Sequence, residues 1–543
     1  MKTSLLLVFS VLVLSCSVSK APVINIFKNP VYPIVPVHDN QNWQYKDIIK
    51  DTLVGISLEK AQKLVAGKDN NIVTVAIIDT PIEISHEHLK NNIWTNIDEI
   101  PNNNVDDDKN GYVDDINGWN FLGNTKGVND IYMQMESTRL LKKYENQEST
   151  NIKESTFILA KKLYCSMYKE SKKNYDFYFD LHDNYLFTKN QLSKKISNWD
   201  YSMKQLDSVR KIYTGDWYFQ NLVIAWKNME SYHGGSKIVF YNDLYTKHLE
   251  VLYNKNHNDR KIKGDNPNNL KDSNYGNNIV NHNVDKLTHG TLVSGLMVQS
   301  SHKKIEGISS KIKLMPICIS GYGNEHDKDI ALAIRYAVDN GAKVINLGFN
   351  KFLSYRKEWV FEAFTYAAQH DVIIIAAAGD HSLNLAEVNY VYPNDNEDNG
   401  TEVSNNFLLV GASTYNANEK LVAPFSNYSN IDVDIFAPGD EIYTIMVNNT
   451  YEFQNSTSMA SSLTSGIAAL LYSYYPNLSA SEVKQIIMES GVTFDLMVHK
   501  PSTNKEKELV PFSSLSKSGK IVNAYNALFM AEEILTKKKK SKK

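Results

Sequence analysis

The segment Ile72-Val73-Thr74-Val75-Ala76-Ile77-Ile78 is β-branched and almost wholly apolar, with no alternation of polar residues. A strand of that kind has both faces covered, which places it inside a parallel sheet between layers of helix. Residues 342–347 and 371–378 share its character. Residues 328–340 and 358–369, between and beside them, carry helical periodicity. Strand and helix therefore alternate, and the pattern predicts an α/β layer fold built on a mostly parallel sheet. In such sheets functional groups collect just beyond the carboxyl ends of the strands.

Composition narrows what such a fold could do. With 58 Lys+Arg against 61 Asp+Glu, the chain is no broadly basic nucleic-acid binder. Its 543 residues allow a large domain carrying an insertion. Three cysteines are too few for a disulfide framework. No HExxH, GxxxxGK[ST] or paired CxxC occurs, so no zinc-protease or nucleotide motif competes and no organic cofactor is implied.

The first residues read as an address. Lys2 precedes an apolar run from Leu5 to Leu14, too short to span a bilayer but suited to a secretory signal. Its end, Leu12-Val13-Leu14-Ser15-Cys16, resembles a bacterial lipoprotein signal. That resemblance implies removal of residues 1–15 and a lipid on Cys16, tying an exported protein to a membrane of the cell envelope. Residues 16–56 then read as a linker. Residues 122–284 differ in texture, holding 15 of the 32 tyrosines and no strong strand run, and are expected to form a mostly helical insertion. Amphipathic helices are expected over 153–169 and 196–226. Residues 496–543 form a C-terminal segment ending in a basic tail.

Three short motifs carry chemistry. Asp79 closes the first strand in Ile77-Ile78-Asp79-Thr80, His289 stands in Thr288-His289-Gly290-Thr291, and Ser458 stands in Thr457-Ser458-Met459-Ala460 before an apolar helical run. The order Asp79, His289, Ser458 and the words around each residue resemble the subtilisin-like serine proteases. Ala377-Ala378-Gly379-Asp380 and Phe425-Ser426-Asn427-Tyr428-Ser429 extend the likeness, which covers 57–121 and 259–490. The resemblance implies a three-layer sandwich with its catalytic domain over 57–121 and 285–495. It also implies a serine endopeptidase acting on proteins or peptides through an Asp79–His289–Ser458 triad. Nothing in the sequence sets an oligomeric state.

The chain departs from the family pattern beside the chemistry. Ser456 replaces a glycine two residues before the nucleophile, and Ser462 replaces a proline four residues after it. Asp380 stands where an asparagine amide completes the oxyanion hole, and an ionised carboxylate has no proton to donate there. A glycine position can demand a positive φ, so strain at Ser456 is one expectation. A catalytically weakened, peptide-binding lipoprotein of the same fold is the alternative.

A second site is suggested by Asp106-Asp107-Asp108-Lys109-Asn110-Gly111, whose spacing matches the first half of a calcium loop. The ligands expected are Asp106, Asp108, Asn110, the Tyr112 carbonyl and Asp114 or Asp115. Asn117 occupies the twelfth position, so the loop is not a full EF-hand.

Overall fold

The structure is a computed structural model that describes residues 26–32, 41–146, 153–196, 203–300, 304–396, 400–502 and 508–541. Cys16 and the expected signal segment lie outside the described residues. A ten-stranded sheet forms the centre. Its parallel heart runs, in spatial order, Ile435–Pro438, Phe407–Ser413, Ile373–Ala377, Val344–Leu347, Val73–Asp79, Ile312–Cys318 and Trp119–Asn120.

The expected strand at 72–78 is the central one, and its residues divide between two cores. Val75 and Ile77 face one side with Val344, Ile375 and Val410, while Ala76 and Ile78 face the other with Ile345, Ile374 and Leu409. Alternate residues of one strand thus bury in opposite directions, which is why the run shows no polar alternation. Helices Asp327–Asp339 and Lys357–Gln369 cover the second face. Helix Thr457–Tyr474 lies across the first and is buried along almost its whole length. Its small residues permit that burial: a Cβ on Gly466 would stand 2.3 Å from the Ile308 side chain.

The chain passes from Val73–Asp79 to Ile312–Cys318 on one side, then to Val344–Leu347 on the other. The crevice between Val73–Asp79 and Val344–Leu347 is therefore a topological switch point, where a parallel sheet leaves its carboxyl end open.

The body extends further along the chain than expected. Residues 41–56, read as linker, bring Trp43, Tyr45, Leu53 and Ile56 into the first core. The decisive signal, an aromatic pair in a short polar stretch, has no periodicity to reveal it. Past residue 495, Lys520–Ile521 adds a strand to the sheet and Phe512 is buried. The basic tail continues helix Ala524–Ser541, where Lys538 pairs with Glu482.

Between Asp79 and His289 stand helices Glu136–Glu145, Glu154–Ser193, Met203–Ile212, Trp217–Tyr232 and Gly235–Lys247. Tyr185, Phe219, Val223, Trp226 and Ile238 give them their own small core. The segment is joined to the sheet body by buried ion pairs. Arg260 of the insertion binds Asp329 at 2.7 Å, and Lys328 binds Asp265 of the insertion at 2.5 Å, while Arg260 also holds Asp265 at 2.6 Å. These charges are paired and hydrogen-bonded, as burial requires.

Candidate active site

Asp79 is the last residue of its strand and is 1% exposed. Its Oδ1 accepts the Thr80 amide at 2.7 Å, which fixes the carboxylate plane. The Thr80 hydroxyl in turn accepts the Gly290 amide at 2.7 Å and so ties the strand end to helix His289–Gly295. Gly290 leaves no space for a larger residue, because a Cβ there would lie 2.3 Å from the Thr80 carbonyl oxygen. The result is a close aspartate–histidine pair, with His289 Nδ1 2.8 Å from Asp79 Oδ1 and 3.0 Å from Oδ2. Nε2 is left for chemistry on the other edge of the ring.

The His289 side chain is 35% exposed, so one edge of the ring meets the open crevice. Burial disfavours its charged form, but the Asp79 carboxylate outweighs this, and the pKa is raised above 6.5. Cys318 pairs in register with Asp79 on the neighbouring strand, and burial holds its thiol well above the usual range. Glu325, also buried, has its carboxyl pushed up by burial and lies near enough to act on His289.

Ser458 is the second residue of helix Thr457–Tyr474 and is 5% exposed. Its hydroxyl donates to the Gly348 carbonyl at 2.7 Å. Gly348 follows the neighbouring strand Val344–Leu347, and a Cβ there would lie 2.2 Å from Asp79 Oδ2 and 3.1 Å from His289 Cε1. Gly348 is therefore packed so tightly beside Asp79 and His289 that no side chain fits there, while its carbonyl holds Ser458. A hydroxyl has one proton, so while Ser458 gives its own to Gly348 it gives none to His289.

The departures from the family pattern acquire roles. Ser456 has φ −172° and ψ 152°, an extended conformation open to any residue, so no strain attends the loss of glycine. Its hydroxyl caps the helix by accepting the Ser458 amide at 3.0 Å. Ser462 donates to the Val293 carbonyl at 2.5 Å, joining the helix of Ser458 to that of His289. Asp380 receives the Thr457 amide and hydroxyl on Oδ1, each at 2.8 Å, and the Ser456 hydroxyl on Oδ2 at 2.7 Å. A carboxylate at a helix N-terminus is electrostatically favoured.

In the acidic loop, oxygens of Glu99, Asp106 and Asp108 lie within 4.8 Å of one another. Calcium takes oxygens at about 2.3–2.6 Å, so opposed ligands stand at most about 5 Å apart and the cluster fits that ion. Asp114 turns away to accept the Asn103 and Asn104 amides. Asp115 accepts from Asn96, Asn110 and the Tyr336 hydroxyl, and burial raises its pKa to about 6. Asn110 is engaged through Nδ2 with Asp108, while its Oδ1 accepts the Tyr112 amide. Glu99 was not legible from the loop motif, which it precedes.

The crevice holds a close aspartate–histidine pair and a buried serine around one glycine. The Subtilase family matches residues 70–512, and the chain belongs to that family. It is 31% identical over 223 residues to the cell wall-associated protease of Bacillus subtilis, covering 40% of this chain and 23% of that one. It is 30% identical over 207 residues to subtilisin DY of Bacillus licheniformis, covering 37% of this chain and 70% of that protein. A solved protease structure from Pseudoalteromonas arctica aligns at 22% identity and a TM-score of 0.35, over 45% of this chain and 70% of that one. The chain thus spans less than a quarter of the first relative and about two thirds of the second.

Proposed function

We propose that the protein is an exported serine endopeptidase that hydrolyses peptide bonds through Asp79, His289 and Ser458. The observation that carries the reading is that the Asp79–His289 pair and Ser458 both lie against Gly348 at the sheet's switch point. In this mechanism Ser458 turns from Gly348 to His289, whose Nε2 takes the hydroxyl proton as Oγ attacks the scissile carbonyl. Asp79 keeps the Nδ1 proton in place and stabilises the imidazolium. His289 then returns the proton to the leaving amine, and water repeats the cycle on the acyl-enzyme. The Ser458 amide is the main-chain donor for the oxyanion. Incubation with an unfolded protein substrate should release new amino termini. No cleavage anywhere between pH 5 and 9 would contradict the proposal.

Asp380 favours a second reading, a weakened peptide-binding protein of the same fold, because it brings an acceptor to the oxyanion side of the nucleophile. In that case an activated phosphonate would leave Ser458 unmodified.

Calcium is proposed as a structural ligand of Glu99, Asp106 and Asp108. It would neutralise carboxylates that otherwise repel, stabilising only the folded chain. At a hundredfold excess over Kd that linkage is worth about 2.7 kcal/mol. The melting temperature should therefore rise with added calcium and stay flat in a variant combining Asp106→Ala with Asp108→Ala. Equal melting curves with and without the ion in the native chain would remove the site.

A lipid on Cys16 is the proposed link to the membrane; among the described residues no helix is long and apolar enough to cross one. Cys16→Ser should move the protein from the detergent phase to the aqueous phase on phase separation. Unchanged partitioning would mean that Cys16 bears no anchor.

A further inference from the structure

The amide that should receive the oxyanion is already engaged. The Ser458 N–H donates to the Ser456 hydroxyl at 3.0 Å. That same oxygen lies 3.0 Å from Ser458 Oγ and 2.7 Å from Asp380 Oδ2. An oxyanion formed on Ser458 would share a carbon with Oγ and sit about 2.7–3.1 Å from the amide. The Ser456 oxygen therefore already holds the amide hydrogen bond that the oxyanion would need. One N–H carries one hydrogen, so the two oxygens compete for it.

The direction of the Ser456 proton matters as much as the oxygen's position. Of its two neighbours in reach, Asp380 is the charged acceptor and takes the stronger hydrogen bond. Ser456 then presents lone pairs, not a proton, to the reacting centre. Asp380 is itself held by the Thr457 amide and hydroxyl, each at 2.8 Å, so the anchor does not drift. Two residues that depart from the family pattern, far apart in the chain, thus act on each other at the one place where each would matter.

We propose that Ser456 is a positioning residue that latches the resting site. Its hydroxyl, held by Asp380, takes the amide hydrogen bond that the oxyanion would need and must turn away before Ser458 can be acylated. This inference rests on the peptidase reading given above. No bond is made or broken in the latch: releasing it frees the Ser458 N–H for the oxyanion.

The extended backbone at Ser456 puts no strain on glycine, alanine or threonine there. The test measures kcat and KM separately on the full chain with a peptide anilide, alongside phosphonate labelling and melting temperature. Ser456→Gly and Ser456→Ala should raise kcat about tenfold, the rate equivalent of one net hydrogen bond, with KM little changed. Ser456→Thr keeps the hydroxyl and should stay within about threefold of the native enzyme on the same reasoning. A lost helix cap lowers stability but does not raise kcat, so the kcat gain separates the latch from a merely structural role. Folded Gly and Ala variants with unchanged or lower kcat, in a protein whose Ser458 is labelled, would overturn the latch alone. Absence of labelling at Ser458 in every form would overturn the peptidase reading and the latch together.

Discussion

Ser458→Ala should lower kcat by about 2 × 10⁶, the loss that follows removal of the nucleophile from a subtilisin triad. The expectation rests on how little else could replace it. The residue begins a helix buried along nearly its whole length, so its backbone cannot shift to admit another nucleophile. Ser456, the nearest hydroxyl, is tied to Asp380 at 2.7 Å. Alanine removes one oxygen and adds nothing, and the loss is a single buried hydrogen bond to the Gly348 carbonyl, worth about 1 kcal/mol. The variant should therefore melt close to the native protein, which separates lost chemistry from lost structure. Activity within tenfold of native in a folded variant would contradict the triad.

Asp79→Asn should lower kcat by about 10⁴ while leaving the fold intact, as the corresponding change does in other serine protease triads. The geometry shows why an isostere fails. Asp79 accepts on Oδ1 from both the Thr80 amide and His289 Nδ1, and Oδ2 is 3.0 Å from the same nitrogen. An asparagine must turn its NH2 group toward one of these donors. If its oxygen stays with Thr80, its amide faces Nδ1 and favours the tautomer with the proton on Nε2, where the base must be free. The pH profile changes as well. His289 serves as base only when neutral, and burial lowers its pKa while Asp79 raises it further, so the acid limb of kcat/KM should lie above pH 6.5 in the native enzyme. Without the Asp79 charge the burial effect remains, and the limb should move to lower pH. A limb that stays in place would show that Asp79 does not act on His289.

Those features that follow from local pattern were legible in the sequence. The run before Asp79 announced a doubly covered strand because both of its faces are apolar, and the described strand occupies Val73–Asp79. Asp79, His289 and Ser458 were marked by their order and by the words around each, which resemble the subtilisin-like serine proteases. Contacts across long stretches of chain were not legible. Gly348 meets Ser458 over 110 residues, and Asp380 meets Ser456 over 76. The glycine missing at 456 suggested strain, but the backbone there is extended and what changes is a side-chain contact.

The insertion shows the same limit in another form. Helices were expected over 153–169 and 196–226, yet one continuous helix spans Glu154–Ser193. Its buried positions, Ala160, Ser171, Tyr185, Thr188 and Leu192, are widely spaced and partly polar, so no apolar stripe marks its full length. The break within the second stretch did have a signal. Gly215-Asp216 precedes helix Trp217–Tyr232, and Asp216 caps it by accepting the Phe219 amide at 2.9 Å. Glu99 joins Asp106 and Asp108 through the fold of its loop, outside the spacing that a calcium motif describes.

The central claim is that Ser458, activated by His289, is a nucleophile. The most direct measurement is reaction of the folded full chain with an activated phosphonate, followed by peptide mass mapping. A single adduct on Ser458, absent after denaturation and absent in the His289→Ala variant, is the result expected. A folded protein that takes no label on Ser458, or takes it equally well without His289, would contradict the account.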